Sequence, residues 1–413
     1  MGETAGQVRR RRVIYIPGYD PIPPRRYREL YRTEGAAQAA ISGYELALRP
    51  REAGGTYGWS VQAQIDGAEV EAEVDVLVWS DIVQTSMARS IPATYLQLVR
   101  TAWIYISTGA LRRLMRLRKG PVIAALYPVG MLLGQLALSV FTGWLAARAL
   151  LWLMSLAGLG GLVFGWVSVG AGVIAAVALL RLFKRLDHRL FAYYLMHDYA
   201  FSARWRGAHP PNQSARISEF ADHILKALTE GAADEVLVVG HSSGAHLAIS
   251  ALAQLFREER LPVESPPLAL LTLGQVVPMV SFLPDAHELR ADLHLLSTQE
   301  GITWVDVTAP GDGCAFALCD PVAVSGVAPV DQRWPLVLSA AFTQTLSPER
   351  WRTLRWRFFR LHFQYLCAFD RPGDYDYFRI TAGPPTLAAR FKGRAPSKSR
   401  IVAPTSGYRG MTP

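Results

Sequence analysis

Residues 238–250, VVGHSSGAHLAIS, say most about how this chain folds. An apolar run ends at Gly240, the turn sequence GHSSG follows, and an apolar stretch with helical spacing begins at Gly244. A buried strand, a tight turn and a helix are therefore predicted here. The spacing fits the pattern Gly-x-Ser-x-Gly, in which small neighbours let Ser242 sit on a strained strand-to-helix turn. The alternative is a plain strand-helix turn built from small residues.

Strand-like and helix-like segments alternate on both sides of this stretch. Strands are predicted within residues 11–20, 44–50, 58–66, 68–83, 235–240, 268–274, 302–310 and 335–342. Helices are predicted at residues 24–42, 90–118, 187–206, 214–230, 244–257, 285–297 and 348–369. Asp66-Gly67 is typical of a two-residue hairpin turn. This alternation predicts an α/β fold whose mostly parallel sheet is covered by helices on both faces.

One long segment breaks the alternation. The sixty residues 121–180 contain only one charged side chain, Arg148. A single helix of this length would span about 90 Å, whereas a bilayer core of about 30 Å is crossed by about 20 residues. Two crossings therefore fit, with a turn near residues 143–152. The alternative, a helical hairpin buried in a soluble core, usually shows a polar stripe that this segment lacks.

Basic residues flank the segment at both ends: Arg112, Arg113, Arg116, Arg118 and Lys119 before it, and Arg181, Lys184, Arg185 and Arg189 after it. The positive-inside rule places both flanks in the cytoplasm, which requires an even number of crossings. The spacing of close helix contacts occurs at Gly130–Gly134 and at Gly161–Gly165. Trp144 and Trp152 suit the far membrane interface.

The composition agrees with membrane content. Half of the 413 residues are hydrophobic and 19% are charged, which is rich for a soluble protein. The net charge of +9 would attract nucleic acid or anionic lipid. Residues 350–360, RWRTLRWRFFR, are basic and aromatic at helical spacing, which favours a membrane-facing or partner-facing surface over a nucleic-acid site.

The cysteines and the chain ends add three expectations. Cys314, Cys319 and Cys367 are odd in number and match no zinc or haem spacing, so a reduced compartment and no metal are predicted. The basic N-terminal stretch precedes an apolar run that is too short for a secretory signal. Residues 385–413 are polar, basic and rich in proline and glycine, and are predicted to be disordered.

In several of these features the sequence resembles that of the α/β-hydrolase superfamily, in particular its lipases and esterases. They are the strand, turn and helix around GHSSG, the early sequence YIPGYD, an acid after a later strand and a late histidine. The resemblance covers about residues 1–100 and 206–384, and it implies a hydrolase-like sheet interrupted by a two-helix transmembrane insertion. In the family, two N–H groups form the oxyanion hole, which here implies those of Tyr19 and Ser243.

The family's chain order is serine, then an acid, then histidine, which implies Ser242 as nucleophile and limits its partners. Asp306 lies inside a predicted strand, Asp312 lies in the turn TAPGDG just past that strand, and Asp320 follows. Asp312 is preferred because the family's acid occupies such a loop, and the other two remain alternatives. His362 follows all three and is the implied base.

The setting of His362 departs from the family pattern. It falls within a predicted helix, whereas the family's histidine usually lies on a loop, and the alternative is a core histidine packed among aromatic residues. His241 and His246 flank the serine turn but precede the acids, so a packing role is expected for both. His287 and His294 lie on a predicted surface helix.

Two functions of different classes are expected. The first is a membrane-anchored serine hydrolase that cleaves a carboxylic ester, of a lipid or acyl-lipid, through Ser242, His362 and Asp312 and an acyl-enzyme, without cofactor or metal. The second is a catalytically inactive hydrolase-fold membrane scaffold or transport-associated protein. The expected partners are a lipid bilayer and a lipid or acyl-ester substrate, with no nucleic acid.

The expected organisation places the membrane segment inside one folded domain. Residues 1–100 and 206–384 form the two parts of the hydrolase-like domain, residues 101–205 form a helical insertion with the hairpin at about 121–180, and residues 385–413 form the tail. The expected location is the inner or plasma membrane, crossed more than once, with the catalytic domain in the cytoplasm.

Overall fold

A computed structural model describes residues 6–51, 55–87, 90–231 and 233–413. The described residues form one eight-stranded sheet. Its strands are β1 (Arg10–Ile16), β2 (Glu45–Pro50), β3 (Gly58–Ile65), β4 (Ala68–Val76), β5 (Glu235–His241), β6 (Leu268–Leu273), β7 (Ile302–Thr308) and β8 (Leu336–Ser339).

Helices connect these strands and form the segment between β4 and β5. They are α1 (Arg25–Ser42), α2 (Ser80–Ser86), α3 (Ile91–Ser107), α4 (Ala110–Leu117), α5 (Lys119–Leu156), α6 (Leu162–Arg185), α7 (Asp187–Leu190), α8 (Ala192–Arg204), α9 (Pro211–Thr229), α10 (Gly244–Arg257), α11 (Val277–Ser281), α12 (His287–Leu296), α13 (Pro321–Val324), α14 (Phe342–Thr345), α15 (Pro348–Leu354), α16 (Phe358–His362), α17 (Tyr377–Ala382) and α18 (Leu387–Arg390), with a 3₁₀ turn at Gln364–Leu366.

The strand order in the sheet is β2-β3-β4-β1-β5-β6-β7-β8. The strands β2, β3 and β4 form an antiparallel meander, and every later neighbour pair from β4–β1 to β7–β8 is parallel. The β3–β4 turn has positive φ at both Asp66 (54°) and Gly67 (78°), as a tight hairpin requires. The predicted α/β fold with a mostly parallel sheet is confirmed.

Both faces of the central strands are buried, as the near-continuous apolar sequences of these strands predict. Val13 of β1 and Val239 of β5 lie in one core cluster with aromatic residues of α1 and α17. The alternating residues Ile14 and Val238 are also fully buried. The helices α9 and α10 pack on β5, and α12 packs on α10. Helices therefore cover both faces of the sheet.

Several predicted element boundaries differ from the structure. One is the helix predicted at 187–206, which is divided into α7 and α8 at Phe191, where φ is 54°. The strand predicted to Val83 ends at Val76, because the Trp79 indole N–H donates to Pro17 O (2.9 Å) as the chain leaves the sheet and α2 begins at Ser80. The helix predicted at 90–118 is divided at Gly109, which has a left-handed φ of 71°. The helix predicted at 348–369 is divided into α15, α16 and the 3₁₀ turn.

The C-terminal segment differs from the expectation of disorder. Ile401 pairs with the chain near β7, where its N–H donates to Leu318 O (2.7 Å) and its carbonyl accepts from Asp320 N–H (2.9 Å). Further along, Gly410 O accepts a hydrogen bond from Arg290 Nε (2.7 Å). Composition measures how much apolar surface a segment can bury, and it does not register hydrogen bonds to distant partners.

The chain divides into two compact units. One contains Met1–Thr85, Tyr105–Val122 and Trp205–Pro413, and the other contains Ser86–Ile104 and Ile123–Arg204. The first unit holds the sheet, and it includes residues 105–122, which the sequence assigns to the insertion. Those residues are held by hydrogen bonds from Tyr105 Oη to Met279 O (2.9 Å) and from Arg113 Nη1 to Thr405 O (3.2 Å).

The second unit contains α6 and the part of α5 from Ile123 onward. Both helices are long and apolar enough to cross a membrane. The turn between them lies at residues 157–161, so the prediction of a turn near 143–152 is wrong. Helix α5 has 38 residues and continues past Arg148, and the chain reverses only where Gly158 and Gly161 adopt positive φ. A single exposed charge does not end a helix, whereas glycine lowers the cost of a left-handed residue.

The close contact between these two helices also lies elsewhere than predicted. A Cβ atom on Gly143 would lie 2.6 Å from Gly172 O, and one on Gly172 would lie 2.5 Å from Gly143 O. By contrast, Cβ atoms built at the four predicted contact positions meet nothing within 4 Å among the described residues; these are Gly130, Gly134, Gly161 and Gly165. A four-residue spacing of glycines indicates which positions could form a close helix contact, but the position of the turn determines which glycines face each other.

Gly143→Leu is expected to loosen this hairpin, because the new side chain meets the Gly172 backbone. Such overpacking costs about 1–3 kcal/mol, and amide hydrogen exchange in α5 and α6 should accelerate in detergent micelles. Gly130→Leu is the matched control. It brings the same gain of about 1 kcal/mol in helix propensity, at a position where a Cβ atom meets no neighbouring atom within 4 Å among the described residues. Equal exchange in both variants would contradict the contact.

Candidate active site

Ser242 occupies the turn between β5 and α10 in a strained backbone conformation. Its φ is 56°, in the left-handed region that a non-glycine residue adopts at a cost of about 1–3 kcal/mol. Its N–H donates to Leu273 O (2.9 Å) at the end of the neighbouring strand β6, and its side chain is half-buried. Strain of this kind persists only where surrounding contacts hold it, and it clusters at functional sites.

The glycines on either side of Ser242 leave no room for side chains. A Cβ atom on Gly240 would lie 2.7 Å from Ala245 Cα, and one on Gly244 would lie 2.6 Å from Pro17 O. Gly240 therefore lets the chain reverse tightly into α10, and Gly244 lets that helix start against the loop after β1. This is the steric reason for small residues two positions before and after the serine.

Asp312 and His362 form a buried pair at the ends of β7 and α16. The His362 Nδ1–H group donates to Asp312 Oδ2 over 2.7 Å. Asp312 also accepts hydrogen bonds from Cys314 N–H on Oδ1 (2.8 Å) and from the Tyr365 hydroxyl on Oδ2 (3.0 Å). Three donors therefore fix one carboxylate, which in turn fixes the orientation of the imidazole.

The serine and this pair meet at the same corner of the sheet. The rings of His241 and His362 are 4.9 Å apart between centroids, and His241 Nε2–H donates to His362 O (3.0 Å). The carbonyl of Leu273 accepts the N–H of Ser242. The next residue is Gly274, and a Cβ atom placed on it would lie 3.1 Å from His362 Cε1. Among the described residues, no hydrogen bond joins Ser242 Oγ to His362, whereas the bond between His362 and Asp312 is formed. Hydrogen bonds to a nucleophile are often long until substrate is bound.

The two residues predicted to donate to an oxyanion, Tyr19 and Ser243, belong to segments that adjoin Ser242. The loop that contains Tyr19 runs beside the serine, since a Cβ atom on Gly18 would lie 2.9 Å from Ser242 Cβ and 3.4 Å from its Oγ. Ser243 precedes the first residue of α10, and within the described ranges its N–H meets no protein acceptor. A helix N-terminus with an open N–H favours developing negative charge.

The alternative acids occupy other settings. Asp306 is fully buried in β7, where its Oδ1 accepts from Thr272 Oγ1 (2.6 Å), and burial raises its pKa to about 8. Asp320 caps α13, with Oδ1 accepting from Val322 N and Ala323 N (3.0 Å each). Neither carboxylate contacts a histidine among the described residues, whereas Asp312 does.

The remaining predicted histidines are placed for packing. Burial lowers the pKa of both His241 and His246 to about 3, so their rings are uncharged at neutral pH. His287 and His294 lie on α12 and bond to backbone carbonyls, those of Gly410 (3.2 Å) and Val327 (2.8 Å). None of these four rings contacts Asp312 in the part of the chain that the structure describes.

Two further residues contribute to this site and were not predicted from the sequence. Tyr365 follows His362 by three residues, and its hydroxyl reaches Asp312 only because the chain turns from α16 into the 3₁₀ turn. Cys314 supplies a backbone N–H, which no side-chain pattern reveals. The spacing Asp312-x-Cys314 matches a local turn in which a carboxylate accepts from the N–H two residues on, and this was the one available signal.

The site thus combines a strained serine, a buried imidazole-carboxylate pair and an open N–H at a helix N-terminus. These are the parts required for nucleophilic attack on a carbonyl, proton transfer and stabilisation of an oxyanion. Comparison with protein-family models, with curated proteins and with solved structures found no match for this chain. The geometry therefore carries the functional argument alone.

The buried state of Asp306 leads to a pH prediction. Its pKa is about 8 in the fold and about 4 in the unfolded chain, so between these values the folded state keeps a proton that the unfolded state releases. Its contribution to stability is full below pH 4 and is lost as pH rises towards 8. Asp306→Asn should remove this loss, so the variant should lose less thermal stability between pH 5 and pH 8 than the parent does.

The exposed Asp331→Asn change is the control, and its pH dependence should follow that of the parent. A parallel pH dependence of the unfolding temperature in Asp306→Asn and the parent would show that Asp306 is ionised in the fold.

Proposed function

We propose that this chain is a membrane-anchored serine hydrolase of the α/β-hydrolase type, which cleaves a carboxylic ester of a lipid or acyl-lipid. The observation that carries the proposal is the buried 2.7 Å hydrogen bond between His362 and Asp312 beside a serine in a left-handed turn. A core histidine needs no carboxylate, and an ordinary turn needs no strained serine. Their occurrence at one corner favours catalysis over packing.

The proposed reaction proceeds through an acyl-enzyme. Ser242 Oγ attacks the ester carbonyl while His362 Nε2 accepts its proton, and the N–H groups of Tyr19 and Ser243 bind the oxyanion. The tetrahedral adduct collapses as His362 returns the proton to the departing alcohol. A water molecule then attacks the acyl group with His362 again as base, and the acid leaves with Ser242 restored.

The hydrogen bonds around Asp312 suit the role of the acid in this reaction. A carboxylate that is held by Cys314 N–H and the Tyr365 hydroxyl stays fixed while it accepts from His362 Nδ1–H. That bond selects the tautomer in which Nε2 is free to accept a proton, and it stabilises the imidazolium that forms. Burial of the pair strengthens both effects, because water does not compete for the carboxylate.

A basic and aromatic surface supports a lipid substrate. Trp356 is 72% exposed, with the Arg355 guanidinium 5.6 Å from its ring centroid. Arg355, Arg357 and Arg360 are exposed and have no acidic partner among the described residues. The neighbouring Phe358 ring packs over Gly313, next to Asp312. Exposed tryptophan and unpaired arginine favour the headgroup region of anionic membranes.

The helices α5 and α6 support anchoring in the inner or plasma membrane. Their length and apolar composition suit two crossings, and basic residues occur before α5 and after α6. The positive-inside rule then places both flanks and the catalytic domain in the cytoplasm, with residues 157–161 on the far side.

A second candidate is an inactive membrane scaffold with a hydrolase-like fold. It is favoured by one observation, namely that no hydrogen bond joins Ser242 Oγ to His362 among the described residues. Fold and residue types do not prove activity, and covalent labelling separates the two candidates.

Ser242 is expected to react with a fluorophosphonate probe in the purified full chain. Ser242→Ala should abolish labelling, and the exposed Ser265→Ala should leave it intact. On a short-chain ester, His362→Ala should lower turnover by several orders of magnitude, about as much as Ser242→Ala, and the double variant should lose little more. Asp312→Asn should cost somewhat less, because it mainly disturbs the orientation of the imidazole.

Asp306→Asn and Asp320→Asn serve as controls for the acid and should retain turnover. Matched melting curves in detergent establish that each variant is folded. Absence of labelling in the folded parent would favour the scaffold, and labelling that persists in Ser242→Ala would assign the nucleophile to another serine.

The proposed orientation predicts which positions an impermeant thiol reagent reaches on intact cells. In a chain whose three native cysteines are replaced by serine, a cysteine at Leu159 should be labelled, because it lies in the α5–α6 turn on the far side. A cysteine at the exposed Lys398 should be labelled only after the cells are permeabilised. The reverse pattern would invert the topology.

A further inference from the structure

A cysteine lies beside the histidine and the acid of the proposed site. Asp312, Cys314 and His362 each offer one ligand atom, and these atoms all lie within 4.8 Å of one another. Asp312 and His362 are buried, Cys314 is partly exposed, and its sulfur is not in a disulfide. Carboxylate oxygen, thiolate sulfur and imidazole nitrogen are the three ligand types that zinc takes in proteins.

We propose that Asp312, Cys314 and His362 form an inhibitory site for Zn²⁺ or a similar thiophilic divalent ion. Binding of the ion depends on these three side chains alone. The inhibition rests on the proposed hydrolase function, because the ion takes the histidine and the acid on which that function depends.

The distances require only small movements. Zinc binds imidazole nitrogen and carboxylate oxygen at about 2.0–2.2 Å and thiolate at about 2.3 Å, so tetrahedral ligand atoms stand about 3.3–3.6 Å apart. His362 Nδ1 and Asp312 Oδ2 are 2.7 Å apart and must separate by about half an ångström. The sulfur lies within 4.8 Å and needs to approach by no more than about 1.5 Å. The partly exposed side of Cys314 leaves the fourth position to water.

The proton balance explains why the ion would inhibit. The thiol of Cys314 releases its proton to solvent when it becomes a thiolate ligand. A metal on His362 Nδ1 displaces the proton from that nitrogen, and a neutral imidazole then carries its proton on Nε2. An Nε2–H group cannot accept a proton from Ser242, so the serine remains a hydroxyl. Asp312, bound to the ion, no longer orients the ring.

The other cysteines provide matched controls. Cys319 is fully buried, and burial raises the pKa of its thiol to about 12. Burial also raises the pKa of Cys367. Neither belongs to a cluster of three metal-ligating side chains among the described residues. Mg²⁺ is the control ion, because it prefers an octahedron of oxygen ligands and should not bind here.

Co²⁺ titration of the purified full chain tests the binding without any need for activity. One Co²⁺ per chain should bind with a thiolate-to-cobalt charge-transfer absorption in the near ultraviolet, and Zn²⁺ should displace it. Cys314→Ser and Cys314→Ala should both lose this absorption, whereas Cys319→Ser and Cys367→Ser should keep it. Even a lost hydrogen-bond partner of a metal ligand costs about 10–100-fold in affinity, so loss of Cys314 should weaken Zn²⁺ binding at least as much.

Fluorophosphonate labelling tests the inhibition, with each variant compared with itself in the presence and absence of Zn²⁺. Zn²⁺ should slow labelling of the parent at least tenfold, chelation by EDTA should restore it, and Mg²⁺ should have no effect. In Cys314→Ser and Cys314→Ala the rate should change less than twofold on addition of Zn²⁺.

The two measurements separate failure of the site from failure of the function. Cobalt absorption that persists in both Cys314 variants, or that is absent from the parent, would overturn the metal site. Cobalt absorption that depends on Cys314 would support the site even in a chain that no serine probe labels, in which case the hydrolase proposal alone fails. Labelling of the parent that is insensitive to bound Zn²⁺ would overturn the inhibition.

Discussion

The left-handed backbone of Ser242 is the constraint on which this site depends. The strand β5 lies between β1 and β6, with Gly240 paired to Ile16 on one side and to Thr272 on the other. This register brings the loop after β1 against Gly244 and the end of β6 against the Ser242 N–H. The central position in the sheet therefore supplies the contacts that offset a conformational cost of about 1–3 kcal/mol. At the end of an edge strand, half of those contacts would be missing.

Two buried aspartates near the end of β7 show how placement decides chemical role. Asp306 points into the core beside Thr272, has one oxygen without a partner, and is held protonated at neutral pH by burial. Asp312 is six residues later, in the loop, and accepts three hydrogen bonds, one of them from an imidazole. Only a carboxylate that is paired in this way can orient a histidine, because burial without a partner favours the protonated, uncharged form of a carboxyl group.

The sequence was sufficient wherever a local pattern determines the structure. The apolar run, the GHSSG turn and the helical spacing after Gly244 predicted β5, the serine turn and α10. The resemblance to the α/β-hydrolases, through its chain order of serine, acid and histidine and its loop position for the acid, implied Asp312 and His362. In the structure these two side chains are 2.7 Å apart. The prediction of β5, the turn and α10 depends on short-range sterics and on hydrophobic periodicity, both of which can be inferred from neighbouring residues.

Prediction failed where distant residues decide the outcome. The turn after α5 depends on how far a helix continues, and glycine spacing could not show that Gly143 faces Gly172. The C-terminal segment was expected to be disordered because it is polar, basic and rich in proline and glycine, and its anchors lie far away along the chain. One anchor is the buried Arg11, which donates to Pro385 O (2.6 Å). No window along the chain contains both partners of such a contact.

The same turn that orients the carboxylate also brings the thiol into the site. Asp312 Oδ1 accepts the N–H of Cys314, and this bond closes the short loop so that residue 314 stands beside the imidazole. Any residue other than proline at position 314 would supply that N–H, so orientation of the acid does not require a cysteine. A small polar residue such as serine would satisfy the turn without adding a thiophilic ligand. Orientation of the acid therefore does not depend on the side chain at position 314, and metal binding beside His362 is a role that the chemistry of a thiol fits.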